Sequence, residues 1–227
     1  MISFQDVTKI YPSPQVTALK NISFNVEKGE FVSIIGKSGA GKTTLFKLLL
    51  AEEMPTKGAL FFKEVNIPEI DNSNLYKLRQ QIGVVFQDYR LIPSKTAYEN
   101  IAYALEVIGA DDEEIKRDVS KVLEITNLTE RAQNFPNELS CGEKQRVAIG
   151  RALIHRPDII IADEPTGNLD PLNTQEVIQT LVKINELGTT VMLATHNKEI
   201  INILGRRVIT LEQGEIIRDE EIGRFIL

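Results

Sequence analysis

The sequence predicts an α/β fold: a mostly parallel core sheet, an antiparallel β region at the N-terminus, and an inserted helical lobe. Three observations predict it. Short apolar or alternating runs fill the first part of the chain, at Ile2–Val7, Ile22–Val26, Phe31–Ile35 and Ala59–Phe62. Later runs at Ile82–Phe86, Ile159–Ala162, Val191–Ala194 and Val208–Leu211 are almost continuously apolar, as strands buried on both faces are. From about Ala97 to Leu128 the apolar residues recur with helical period, and Asp111-Asp112-Glu113-Glu114 supplies acids suited to a helix start.

The early runs are separated by turns such as Glu27-Lys28-Gly29-Glu30, which suggests an antiparallel sheet feeding one buried strand, Phe31–Ile35. That strand runs into a glycine-rich loop, and Thr44–Leu50 then reads as a helix. The helical lobe is expected between roughly Asp88 and Arg156, inside a single domain that spans residues 1–227. No internal repeat and no low-complexity segment interrupts it.

Bulk composition narrows the function. A hydrophobic share of 42% beside 26% charged residues is that of a globular protein. The net charge of −6 argues against broad nucleic-acid binding, which shows a basic excess, so no nucleic acid is expected as a partner. A single cysteine, Cys141, excludes an intrachain disulfide framework and fits a reducing compartment. The start Met1-Ile2-Ser3-Phe4-Gln5-Asp6 lacks the basic and apolar regions of a secretion signal, and the longest apolar runs are strand-sized. A cytoplasmic location is expected, with any membrane role exercised through a partner.

Gly36-Lys37-Ser38-Gly39-Ala40-Gly41-Lys42-Thr43 matches the phosphate-loop pattern in full, between a predicted strand and a predicted helix. Glycines let successive backbone N–H groups turn inward around phosphate oxygens with no Cβ in the way. The following helix offers its positive end to the same anion. Lys42 can reach the β- and γ-phosphates, the hydroxyl of Thr43 can ligate Mg²⁺, and Thr44 continues the nucleotide-binding stretch. ATP and Mg²⁺ are the expected cofactors.

Asp158-Ile159-Ile160-Ile161-Ala162-Asp163-Glu164-Pro165 is an apolar strand ending in two acids. Asp163 suits a metal contact, made through a water. Glu164, one residue further, suits the acceptance of a proton from attacking water. Pro165 stops the strand and helps hold the pair at its tip.

Leu139-Ser140-Cys141-Gly142-Glu143-Lys144-Gln145-Arg146 resembles the signature sequence of the ABC ATP-binding subunits. Gly167-Asn168-Leu169-Asp170 is similar to the D-loop of that family, His196 to its switch histidine, Gln87 to its Q-loop glutamine, and Tyr11 to the aromatic that stacks on adenine. All occur in family order, so the resemblance spans nearly the whole chain. It implies an ATPase with an ABC-type P-loop fold and a catalytic set of Glu164, His196, Gln87 and Lys42. Gln87 joins Thr43 and Asp163 at the metal, while Asp170 joins the nucleotide-binding residues. It further implies a head-to-tail homodimer in which Ser140 and Gly142 of one copy face the ATP held by the other. Ser140 is suited to cap the helix that follows it, whose first turn presents N–H groups to an anion.

One departure and a partner surface complete the reading. Cys141 stands where the family has glycine; it is tolerable if φ is negative there, and is expected to be a small buried filler. Phe86–Pro93 and Thr96–Ala102 look most like the cell-division branch, FtsE, and Thr166–Asp170 is shared with that branch and with MacB-type and lipoprotein-releasing relatives. The resemblance implies an integral membrane subunit similar to FtsX, peripheral attachment to the inner face of the membrane, and control of peptidoglycan hydrolases. A cleft for that subunit is expected among Leu91, Ile92, Pro93, Tyr98, Ile101 and Tyr103.

Overall fold

Each predicted apolar run becomes a strand, and the alternation of its residues decides which sheet it joins. The computed structural model describes residues 1–222, which form two compact units. Of the described residues, one holds Met1–Arg79 and 192–222, the other Gln80–Val191, and the division falls within β8 (Thr190–Thr195).

In the first unit, β1 (Ile2–Pro12), β2 (Gln15–Val26), β4 (Lys57–Phe62) and β5 (Val65–Asn66) form an antiparallel sheet in the order β2-β1-β4-β5. The register sets Phe4 opposite both Phe24 and Leu60, and the Phe4 and Phe24 rings stack 4.7 Å apart. One face of this sheet buries Ile2, Phe4, Phe24, Val26, Leu60 and Phe62. β3 (Phe31–Ile35) is buried along its whole length, as a continuous apolar run requires, and pairs in parallel with β9 (Arg207–Glu212). β10 (Glu215–Glu220) adds an antiparallel edge to β9. α1 (Lys42–Leu49) follows β3 and buries Leu45, Phe46, Leu48 and Leu49; it begins two residues before the predicted start. Arg207 ties these strands together, donating to Glu30, Asp219 and the Asn25 carbonyl. The short helices α2 (Leu75–Arg79) and, after β8 (Thr190–Thr195), α7 (Lys198–Leu204) complete this unit.

In the second unit, β6 (Ile82–Phe86) and β7 (Ile159–Asp163) pair in parallel, register Ile82↔Ile159 through Phe86↔Asp163. Around this pair lie α3 (Ala97–Ile108), α4 (Asp112–Ile125), α5 (Cys141–Leu153) and α6 (Pro171–Glu186). The helical stretch predicted over 97–128 divides at Gly109, and Asp111 caps α4. A core of Ala97, Ile101, Leu105, Val119, Val122, Leu123 and Val147 joins α3, α4 and α5. Asn100 is fully buried, and its carboxamide bonds the backbone at Ile92, Lys95 and Thr96, fixing the loop before α3. Ile101 therefore does not line a cleft: it faces the same core, and Tyr98 packs partly against it, while Tyr103 is exposed. No helix among the described residues is long and apolar enough to cross a membrane.

Candidate functional site

In the first unit, β3 stops at Ile35 and the chain turns through residues 36–41 into α1. Gly41 takes φ +110°, a conformation that L side chains rarely adopt, and an added Cβ would meet the Ala18 carbonyl oxygen at 2.7 Å. The Ala40 N–H donates to the Lys37 carbonyl at 3.1 Å, closing the loop on itself. Lys37, Ser38 and Gly39 are exposed at its crest, Gly36, Ala40 and Lys42 are buried, Thr43 is exposed and Thr44 is half-buried. Lys42 Nζ donates to the Gly36 carbonyl at 2.7 Å, so its ammonium is folded along the inside of the loop. No side chain caps α1, and no acid lies in its first turn. The arrangement leaves a positive helix end, a lysine and a turn of backbone amides in one place, which is what an oxyanion needs.

Tyr11 lies half-buried near the end of β1, and His196 lies exposed just after β8, where the N–H of the next residue, Asn197, bonds Thr195 Oγ1 at 3.1 Å. Both belong to the unit that carries the loop.

The second unit holds the other predicted residues. The parallel register that sets Phe86 opposite Asp163 leaves Gln87 and Glu164 one step beyond neighbouring strand ends. Glu164 has φ +49°, the left-handed region, an uncommon setting for a glutamate. Its carbonyl accepts from the Gly167 N–H at 3.1 Å, and the Thr166 carbonyl accepts from Leu169 N–H at 3.2 Å, so residues 164–169 coil tightly into α6. Gln87 Nε2 reaches Asn168 Oδ1 at 3.5 Å. Asp170 caps α6 by accepting from the Asn173 N–H at 3.0 Å, and that bond holds its carboxyl below the usual carboxylate range.

Ser140 caps α5 as its sequence position suggests. Its hydroxyl accepts from Glu143 N–H at 3.2 Å, while Glu143 Oε2 accepts from Ser140 N–H at 2.7 Å. Arg131 donates to the other Glu143 oxygen at 2.9 Å. Cys141 occupies the first helical position and has no positive φ, so replacing glycine costs the backbone no strain. It is exposed at the first position of α5, against the expectation of a buried filler. Gly142 is buried against α6: a Cβ there would lie 1.8 Å from Asn173 Oδ1. Asn173 also donates to Asp170, so the signature turn and the 167–170 turn meet at one side chain.

Sequence reading did not find Asn173, nor two further supports. Gln145 donates to the Phe86 carbonyl at 3.2 Å, and Arg151 donates to the carbonyls of Tyr89 and Arg90. Tyr89 and Arg90 both have left-handed φ values, +59° and +49°, and Arg90 stacks on Phe86 at 3.7 Å. Burial, aided by a hydrogen bond to Cys141, pushes the Tyr89 phenol up to about 12. Such contacts between distant side chains leave no local pattern to read.

Within each unit, the predicted metal residues carry donors of the chemistry Mg²⁺ takes. Thr43 offers a hydroxyl, Gln87 a carboxamide oxygen and Asp163 a carboxylate, all hard oxygen ligands of the kind that ion takes.

Comparison with known proteins agrees with these motifs. The family model described as ABC transporter matches residues 19–167. The chain is 48% identical over 225 residues to the cell division ATP-binding protein FtsE of Bacillus subtilis (strain 168), covering 99% of this chain and 98% of that one. It is 47% identical to the FtsE of Mycobacterium tuberculosis (strain ATCC 25618 / H37Rv), again over 99% of this chain and 98% of the relative. Among solved structures, the ATP-binding cassette MJ0796, dimeric in a post-hydrolysis state bound to ADP and Pi, matches with a TM-score of 0.88 and 38% identity. The match covers 99% of this chain and 100% of that one. With a complete phosphate loop, two acids at the tip of a buried strand and a capped signature helix, the chain belongs to the ABC transporter family as one of its ATP-binding, ATP-hydrolysing cassettes.

Proposed function

We propose that two copies of this chain close head to tail around two ATP molecules, and that closure drives an integral membrane subunit resembling FtsX. The observation that carries the dimer is the presence of two helix starts suited to anions in one chain, one with a lysine-lined loop and one with a serine cap. One triphosphate needs only the first. The second makes sense when it serves the nucleotide of a neighbouring copy.

In this reading the backbone of Gly36–Thr43, with Thr44, grips the phosphates, Lys42 Nζ neutralises the β- and γ-oxygens, and Tyr11 stacks on adenine. Thr43, Gln87 and Asp163, the last through a water, would hold Mg²⁺, which supplies charge stabilisation on the phosphate oxygens. Water attacks the γ-phosphorus and gives its proton to the Glu164 carboxylate as the bond to the bridging oxygen breaks, leaving ADP and phosphate. His196 holds Glu164 and the water in place. Ser140 and Gly142 contact the γ-phosphate bound by the partner, with Asp170 beside that interface. We read residues 88–156 as a helical sub-lobe of one domain, the lobe that carries the signature to the neighbouring copy.

Near-full-length identity to two FtsE proteins supports a role in cell division, with the chain attached to the inner face of the membrane through its partner and controlling peptidoglycan hydrolysis there. A second reading, the ATPase of a lipoprotein-releasing or MacB-type exporter, rests on Thr166–Asp170, which both groups share. Co-purification of the membrane subunit, and the form of its outer domain, separates the two.

Glu164→Gln tests the core of the proposal. It should keep ATP binding and lower hydrolysis by about 100-fold or more, and with ATP and Mg²⁺ it should elute as a dimer in size-exclusion chromatography. Turnover like the parent chain removes Glu164 from the role of base; a monomer under all nucleotide conditions removes the dimer.

A further inference from the structure

Lysine is seldom buried, because its ammonium must then find fixed partners. Lys9 on β1 is only 8% exposed. Its Nζ donates to Glu53 Oε2 at 2.7 Å and to the Met54 carbonyl at 2.9 Å. The same ammonium lies over the ring of Tyr11, 5.0 Å from its centroid. Those acceptors are fixed in turn. The N–H groups of Glu52 and Glu53 donate to the Lys47 carbonyl at 2.9 and 3.3 Å, so the residues that hold Lys9 continue from the last turn of α1. Alongside, the Thr56 N–H donates to the Thr8 carbonyl at 2.7 Å and Ile10 N–H to Thr56 Oγ1 at 3.0 Å, locking β1 to the same segment.

One short helix therefore has the phosphate loop at its start and the anchor of the Tyr11 ring at its end. A cation against one face of an aromatic ring draws on its π density. The opposite face then becomes a better partner for the electron-rich plane of a purine. We infer that Lys9 is a positioning residue for nucleotide base binding: it seats the Tyr11 ring at a fixed distance from the phosphate grip and polarises it for stacking. This rests on the reading of Tyr11 as the base platform. Because a stacked ring reads the plane of a base and not its edge, the effect should be the same for adenine and guanine nucleotides.

The test measures dissociation constants of the full chain for ATP, GTP and inorganic tripolyphosphate. Lys9→Met, which keeps the stem and removes the cation, should weaken ATP and GTP by about fivefold and leave tripolyphosphate unchanged. Lys9→Arg should recover most of the loss. Unchanged ATP affinity in Lys9→Met, or an equal loss for ATP and tripolyphosphate, overturns the inference, the second because it marks a general loss of folding. Tyr11→Ala separates the two levels. If it weakens ATP while Lys9→Met does not, only the role of Lys9 is lost; if it has no effect, the Tyr11 platform itself is wrong.

Discussion

The starts of α1 and α5 are built from opposite recipes. α1 begins at a left-handed glycine, with no capping side chain and no acid in its first turn, and the next residue is a buried lysine. α5 begins at Ser140 with a complete capping box, and its first-turn acid, Glu143, is paired with Arg131. Burial works against the Glu143 carboxylate, yet the Ser140 N–H and the Arg131 guanidinium hold it below the usual range. The protein thus completes one helix end by itself and leaves the other for a ligand to complete. In the proposed dimer the start of α1 binds an anion alone, and the start of α5 adds a hydroxyl to an anion that the other copy has already fixed.

The largest effect that bears on this difference is expected at Lys42. Lys42→Ala removes the charge that lines the loop and should lower ATP affinity by about 100-fold, read by equilibrium dialysis on the isolated chain. Ser140→Ala should leave that same single-chain affinity within about twofold, since in the proposed dimer its hydroxyl serves another copy. If the two variants lose affinity equally, the contrast between the helix starts is false.

Gly142→Ala comes next. Its Cβ would collide with Asn173, so the change should cost about 1–3 kcal/mol in urea unfolding. Asn173→Ala in the same chain should return most of that, because the obstructing side chain is then gone. A smaller loss, about 1 kcal/mol, is expected for Ser140→Ala from its capping role, seen as a lower urea midpoint. Smallest of all is Cys141→Gly, about 0.5–1 kcal/mol, since it only loosens the first position of a helix whose cap is intact. A larger shift would mean that the contact of Cys141 with Tyr89 bears more of the structure than the cap does.

What the sequence made legible is chemistry that is local along the chain. The loop of residues 36–43 and the strand Ile159–Asp163 with its following acid each state their geometry within ten residues, and the buried strands show as unbroken apolar runs. β10 escaped because it is a polar edge strand whose residues are nearly all exposed, without apolar alternation. Cys141 was misplaced because a small apolar side chain argues for burial, whereas packing leaves it exposed at the start of α5. Ile101 and Tyr103 sit two positions apart on α3, so one enters the core and the other leaves it; composition of the segment could not separate them. Lys9, Gln145, Arg151 and Asn173 act through partners up to 62 residues away, a relation set by packing alone.

The dihedral at Glu164 has a consequence for engineering. Glycine, or asparagine, fits a left-handed backbone with less strain than glutamate does, by about 1 kcal/mol. A search for heat-resistant variants of this chain would therefore be drawn to position 164, and each success there would discard the carboxylate. If Glu164 is the base proposed above, selection by melting temperature alone is a filter that enriches for inert protein.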